Sequence, residues 1–358
     1  MSDDTTSLDD PFRVRAARLA TAATPFLAVA LAILLAAAVS ALLILLAGAN
    51  PVTAFGAIWQ GAFGTPRRIA SGFAKATPYL LCGVGIALCF RARIINIGGE
   101  GQIALGGLGA TWLALAVPLA TPWLAIPFAL VAGAAFGLLW ASLAAVLHVT
   151  RRVHEVLVTL LLNFVAILLV SQALHGAIGE VGAGFPQSAL LPQAFWLPKI
   201  LPNTDLHIGI LIAVVLAIAA HVLLWRTSFG FSIRLLGASR RATNYAGYSP
   251  DRITYLVMAI AGALAGLAGA IQVLGIHLRL IEGYSDGLGF VSVAIALLGG
   301  INPLGLIPAS LFFGFLEVGA LSMQRQMGVP SSLVSVMEGI TMLFILAAMA
   351  HSGRKGQV

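Results

Sequence analysis

Apolar runs as long as a bilayer is thick recur along the whole of this 358-residue chain, and no other feature limits its fold so strongly. They fall at residues 25–48, 70–90, 102–120, 123–147, 156–174, 208–225, 253–276, 304–323 and 331–350. A helix that crosses the hydrocarbon core needs roughly 20 mostly apolar residues, so each run predicts a spanning helix. A tenth run, 288–299, is about half a span long and lies between glycine-rich flanks. A half-span of this kind predicts a broken or re-entrant helix buried by its neighbours. The expected fold class is therefore an all-α polytopic membrane protein with about ten transmembrane segments, the short one included.

Only 9% of the residues are charged and 59% are hydrophobic, against about a quarter charged in soluble domains. With so little polar sequence between the runs, no large catalytic head fits. Residues 25–350 read as one transmembrane domain between an N-terminal segment, 1–24, and a tail, 351–358. Arg13, Arg15 and Arg18 before the first run, and Ala47-Gly48-Ala49 after it, imitate a secretory signal and its cleavage site. The run is too long for that, because the apolar part of a signal is about 7–15 residues.

The 20 basic residues outnumber the 13 acidic ones, and all but Lys75, Lys199 and Lys355 are arginine. The N-terminal arginines, Arg91 with Arg93, Arg151 with Arg152, the segment 226–252 and Arg354 with Lys355 all fall on one side of the predicted membrane. Basic loops mark the cytoplasmic side, which puts both termini inside. Arg67, Arg68 and Lys75 depart from that rule. The stretch 175–207 holds one lysine and no arginine, with several Pro and Gly, and reads as an ordered or mobile extracytoplasmic loop. No long basic run interleaved with aromatics is present, so nucleic acid is not an expected partner. With this topology the helix at residue 70 runs inward and the one at 253 outward, so any internal duplication is inverted. Both helices end near an arginine (Arg93, Arg279), followed by glycine with an acid (Gly99-Glu100, Glu282-Gly283) and a glycine-punctuated apolar stretch.

Several chemistries are missing. None of the three lysines stands in a G-x-x-x-x-G-K-[ST] loop, so the chain is not expected to hydrolyse ATP. There is no G-x-S-x-G elbow and no local pair of acids for acid–base work. Cys82 and Cys89, seven apart on one predicted helix, are badly placed for a disulfide, and the seven histidines are scattered without metal-ligand spacing. The chain is expected to hold no metal or cofactor and to be no enzyme.

Four stretches stand out. Residues 91–102 form a polar, glycine-rich break between two runs. A carboxylate in hydrocarbon is costly, so Glu100 must find a partner, either Arg91 or Arg93 at the helix ends, or donors lining a watery pathway. In the second case Asn96, Gly98, Glu100 and Gln102 are pathway or gate residues, with glycines letting the backbone turn. On the next helix Glu155, Thr159 and Asn163 recur every four residues along one face; they form either a polar packing seam or a solute-lining face, with Asn163 deepest. Segment 226–252 is the longest cytoplasmic loop and suits a short amphipathic helix against a protein partner, or a basic loop held by anionic lipid. The half-span 288–299, closed by Asn302-Pro303, either packs tightly or gates. Glu317 and Glu338 are further carboxylates inside predicted spans.

Three of these blocks resemble the permease subunits of ABC importers in the branched-chain amino acid, ribose and nucleoside group, most of all the longer nucleoside-type permease. They are Asn96-Ile-Gly-Gly-Glu-Gly-Gln102, the stretch from Val153-His-Glu-Val to Leu162-Asn163, and the loop from Thr227-Ser-Phe-Gly-Phe to Ala246-Gly247. The similarity covers residues 70–350, and His154 and Gly99 depart from the usual pattern. The resemblance implies a type II importer-like fold in a bacterial inner membrane. It implies a separate ATPase subunit that binds ATP and Mg2+, a second, shorter permease or a homodimer, and a periplasmic or lipid-anchored solute-binding protein. It makes Arg234, Gly237, Arg240, Arg241, Ala242 and Gly247 candidate coupling residues, and Asn96, Glu100, Gln102 and Asn163 candidate pathway residues. Nucleosides are the implied solutes, with simple sugars such as ribose second. A self-sufficient transporter that binds its coupling ion at Glu100, Glu317 or Glu338 is the alternative from a different class.

Overall fold

The computed structural model describes residues 31–355, apart from the side chains at 331, 338, 345, 346 and 348–355. Arg13, Arg15, Arg18, the beginning of the first run and the side chains of Glu338, Arg354 and Lys355 lie outside the described residues. The helices are α1 (Leu31–Leu46), α2 (Pro51–Phe63), α3 (Pro66–Arg91), α4 (Gly99–Ala116), α5 (Pro122–Arg151), α6 (Glu155–His175), α7 (Gly209–Arg226), α8 (Ser228–Ala238), α9 (Arg240–Tyr245), α10 (Pro250–Gln272), α11 (Leu288–Leu298), α12 (Leu306–Met327) and α13 (Ser331–Lys355). A π-turn, Val273–His277, prolongs α10. The described residues fall into two compact units, the larger being Ile58–Ser322 and the smaller the described residues on either side of it.

Local sequence sets the ends. Thr65 and Ser249 each cap a helix that starts with proline, their hydroxyls accepting from the Arg68 and Arg252 amides at 3.3 and 3.4 Å. Proline at the first position loses no helical hydrogen bond, and the hydroxyl satisfies one orphan donor.

Among the described residues six helices can cross a membrane by length and hydropathy: α3, α5, α6, α7, α10 with its π-turn, and α12. Counting the bent pair α1 and α2 as one span gives seven. This measure does not reach the ten crossings expected from the sequence, for physical reasons. The first turn of α4 is Gly99-Glu100-Gly101-Gln102, which lowers its hydropathy, and α11 has only 11 residues.

The larger unit is layered by burial. The most apolar windows of α3 and α10 are 83% and 72% buried, whereas those of α5, α6 and α7 are 28% buried and turn apolar faces outward. Chains that span lipid present such faces to the hydrocarbon. α4, α5 and α10 meet through glycines: a Cβ on Gly106 would stand 2.1 Å from the Gly266 carbonyl oxygen, one on Gly137 2.2 Å from that of Gly262, and one on Gly266 2.3 Å from that of Gly133. Small residues let membrane helices approach this closely.

The stretch after α6 is ordered. Gly179 bridges Ser188, Gln187 bridges Ile281, and Lys199 bridges His207, and Leu191, Phe195 and Leu197 of the stretch are buried. Arg279 meets Glu180 at 3.1 Å. His207 is buried, with Nδ1 accepting from the Gly209 amide at 3.1 Å, and burial pulls its imidazole down to about 4. The cations that depart from the charge rule each have a local acceptor. Arg67 donates to the Asn203 carbonyl, Arg68 to that of Gln60, and Lys75 to Glu317 at 2.7 Å. Cys82 and Cys89 are free and buried.

Candidate functional site

α4 and α11 both begin in the interior, and their first turns meet. Residues 92–98 lead into α4 after Arg93 adopts a positive φ of 57°, and residues 278–287 lead into α11 after Leu278 adopts one of 58°. At the meeting point a Cβ on Gly289 would lie 2.0 Å from the Glu100 nitrogen, so only glycine fits. Glu100 is 2% exposed. Its Oε2 accepts from the Gly289 amide at 2.7 Å and its Oε1 from the Gly287 amide at 3.2 Å. A helix N-terminus carries unpaired N–H groups and a partial positive charge, and the carboxylate answers both. The partner of Glu100 is thus neither Arg91 nor Arg93, the pairing the sequence had made one option. Arg91 instead donates to the carbonyls of Ile301 and Gly300 at 2.8 and 3.3 Å.

The other candidate residues of this break gather around the first turn of α4. Asn96 Oδ1 accepts from the Gly98 amide at 2.9 Å, and the Asn96 and Gln102 amides exchange contacts at 3.3 and 3.4 Å. From α6, Asn163 accepts from the Gly101 amide through Oδ1 and donates to the Ile97 carbonyl through Nδ2, both at 2.9 Å. Thr159 accepts from the Ile97 amide at 3.3 Å. Asn96, Gln102, Thr159 and Asn163 are all buried, so the non-helical segment keeps its polar groups paired inside the protein. Glu155, the third member of that face, stands apart with its Oε2 3.5 Å from His148 Nδ1.

Beside this junction lies a cavity of about 220 Å³, lined by Glu100, Ile167, Val170, Glu282, Asp286 and Phe290 among others. Tyr284 closes it against α4. Its hydroxyl donates to the Ile103 carbonyl at 2.6 Å and accepts from the Gly107 amide at 3.1 Å. Among the described residues no three His, Cys, Asp or Glu side chains come together as metal ligands.

The residues just after α3, the last turn of α5 and the beginning of α6 converge with α8 and α9 around a second cavity, of about 210 Å³, lined by Arg93, His148, Glu155 and Arg240 among others. The loop expected to hold one amphipathic helix holds two, each capped by a hydroxyl: Thr227 accepts from the Gly230 amide at 3.0 Å and Ser239 from the Ala242 amide at 3.3 Å. α9 is exposed along Arg240, Arg241, Ala242, Asn244 and Tyr245, with only Thr243 buried, and Tyr245 is 93% exposed. Arg240 pairs with Asp251, and Gly247 takes a positive φ of 82° after α9. Gly237 touches the end of α3, where a Cβ would stand 2.0 Å from the Arg91 carbonyl oxygen. Arg234 is half-buried and turns inward, over the ring of Trp225.

Residues 68–346 match the permease component of the branched-chain amino acid transport system, a stretch that contains every site residue above. The chain belongs to that permease family. It is 34% identical to the guanosine ABC transporter permease protein NupP of Bacillus subtilis, over 89% of this chain and 92% of that one. It is 33% identical to a glucose ABC transporter permease protein of Haloferax volcanii, over 89% and 86%. It is 29% identical to the nucleoside ABC transporter permease protein NupB of Lactococcus lactis, over 85% and 86%. No solved structure matches it. As an ABC permease it is a multi-pass membrane transport component rather than an enzyme. Sequence reasoning missed Tyr284 and the Lys75–Glu317 pair in this permease. Tyr284 sits in a glycine-rich stretch with no periodicity, and Lys75 meets Glu317 across 242 residues of chain.

Proposed function

We propose that this permease is the membrane subunit of an ATP-driven importer of nucleosides, and that a separate ATPase supplies ATP and Mg2+ chemistry. The observation that carries the reading is α9, an exposed helix with Arg240, Arg241 and Tyr245 at its surface, in a chain without a phosphate-cradling loop. α8 and α9 form the docking piece for the ATPase, with Gly237, Arg240, Arg241, Ala242 and Gly247 at the contact and Arg234 behind it. That end of the molecule is cytoplasmic, as are both termini, and the stretch 175–207 faces the other side, where a solute-binding protein delivers its cargo. A second, shorter permease or another copy of this chain completes the pathway. With α4, α11 and α13 counted beside the bent pair and the six long helices, the crossings come to ten. The succession α3, break, α4 repeats in inverted form as α10, break, α11, an arrangement that in transporters sets the pathway at the repeat interface. Asn96, Gly98, Gln102 and Asn163 hold the break, and Glu100 ties it to α11 beside the pathway cavity.

The names of two relatives, one a guanosine and one a nucleoside permease, favour nucleosides; the glucose permease keeps simple sugars as a second reading. The ion-coupled alternative has less support, because both oxygens of Glu100 are bonded to backbone amides and Glu317 is paired with Lys75. The test is uptake of labelled nucleosides, pentoses and glucose in cells with and without the gene, repeated with the ATPase inactivated. Nucleoside uptake lost in both deletions supports the proposal. Uptake that needs this chain but survives loss of the ATPase refutes it in favour of ion coupling.

A further inference from the structure

The turn after α11 is held from two helices. On α7, His221 and Trp225 lie four residues apart on one face. His221 Nδ1 stands 3.1 Å from Asn302 Oδ1. From α3, Arg91 grips the carbonyls of Gly300 and Ile301, and its guanidinium carbon lies over the Trp225 ring, 5.6 Å from the centroid. Arg234 of α8 lies over the same ring at 4.6 Å. Neither arginine is paired with a carboxylate among the described residues, and Arg234 Nε is buried without a hydrogen-bond partner. The indole is therefore the group that keeps two like charges together.

The turn itself is strained. Gly300 has a φ of 67° and Ile301 one of 53°, a region that a β-branched residue enters only when its surroundings force it. Strain of this kind, clamped by a long side chain, marks a place where a small push has a large effect. α11 is a short rigid strut between this turn and the Gly287 and Gly289 amides on Glu100.

We propose that Arg91, Trp225 and Arg234 form a positioning relay that passes a displacement of α8 to the foot of α11, and so to the junction with Glu100. The proposal rests on the docking role given above to α8 and α9. α8 bears on residue 91 twice, through Gly237 against its carbonyl and through Arg234 across the indole. Trp225 touches neither solute nor ATPase in this scheme; it sets where Arg91 and Arg234 stand.

The permease is reconstituted in liposomes with its ATPase and binding protein, and uptake of labelled guanosine, with glucose as a second solute, is measured beside ATP hydrolysis. Trp225→Ala is expected to assemble and to hydrolyse ATP at the basal wild-type rate, yet to move about tenfold less solute per ATP, near the upper range for mutations along a coupling network. Trp225→Phe keeps an aromatic face and is expected to stay within about threefold of wild type. Wild-type solute per ATP in Trp225→Ala overturns the relay, and so does an intact Trp225→Phe complex as uncoupled as the alanine variant. If Trp225→Ala fails to assemble, Arg91→Lys decides: lysine keeps the charge but not the fork that reaches two carbonyls, so the same drop supports the relay and an unchanged ratio overturns it. Wild-type uptake that proceeds without any ATPase refutes the docking role, a result distinct from a coupled wild type beside an equally coupled Trp225→Ala.

Discussion

Replacing Glu100 by glutamine changes almost no volume and isolates what the carboxylate does. The two oxygens accept from Gly289 at 2.7 Å and Gly287 at 3.2 Å. An amide keeps one acceptor and turns an NH2 group toward the other backbone N–H, so one buried donor loses its partner. That costs about 1–3 kcal/mol. The charge lost from the N-terminus of α11 removes about 0.3–1 kcal/mol more, up to ~2 in a partly buried geometry. Glu100→Gln should thus destabilise the fold by about 1–5 kcal/mol. Glu100→Asp keeps the charge but is one methylene too short to reach both amides, and Glu100→Leu leaves both donors unpaired and costs most. The assay is reversible unfolding of the purified protein by SDS titration in mixed micelles, with uptake measured in parallel. A Glu100→Gln variant within about 0.5 kcal/mol of wild type, the range of ordinary surface changes, would refute the view that the carboxylate joins α4 to α11.

Lys75 and Glu317 are 28% and 20% exposed, so breaking the pair should cost about 1–3 kcal/mol, less than the 3–5 of a fully buried one. Lys75→Met with Glu317→Leu together should be at least about 1 kcal/mol milder than the sum of the single changes, and a strictly additive double-mutant cycle would show that the two charges are independent. His207 gives a pH dependence whose sign follows from its buried neutral form. Its folded value of about 4 lies below the ordinary 6.5, so the stability it confers is complete above pH 6.5 and is lost as pH falls toward 4. The loss over that window is about 3 kcal/mol. Thermal unfolding at pH 7 and pH 4.5 should therefore separate wild type from His207→Gln, and equal pH sensitivity in the two would rule the histidine out.

What the sequence made legible was whatever local spacing decides. The half-span at 288–299 is α11, the break at 91–102 holds the non-helical lead 92–98 together with the first turn of α4, and the four-residue recurrence of Thr159 and Asn163 does place both on one face against that break. Partners far away in the chain were not legible. Glu100 finds Gly287 and Gly289 187 and 189 residues on, amides that belong to the backbone and carry no side-chain signature. The helix count suffered for a related reason. Hydropathy picks out runs of full span length, so the first run stops at residue 48, just past the end of α1, and α2, with only 13 residues from Pro51 on, went unread. Splitting of 226–252 into α8 and α9 depends on Ser239, one capping hydroxyl among many in that loop.

The glycine seam shared by α4, α5 and α10 has a consequence for compliance. Ordinary cores yield because side chains between elements hop among rotamers, and each such hop is a store of entropy. Where Gly106, Gly133, Gly137, Gly262 and Gly266 bring backbone onto backbone, there is nothing to hop. The three helices hold a single mutual fit, and any switch between alternative shapes must be absorbed elsewhere, along contacts that long side chains separate. A methyl group at any of these five positions would bring no rotamer of its own; it would wedge the backbones apart, and the single fit of the three helices would be lost for whatever looser contacts close the gap.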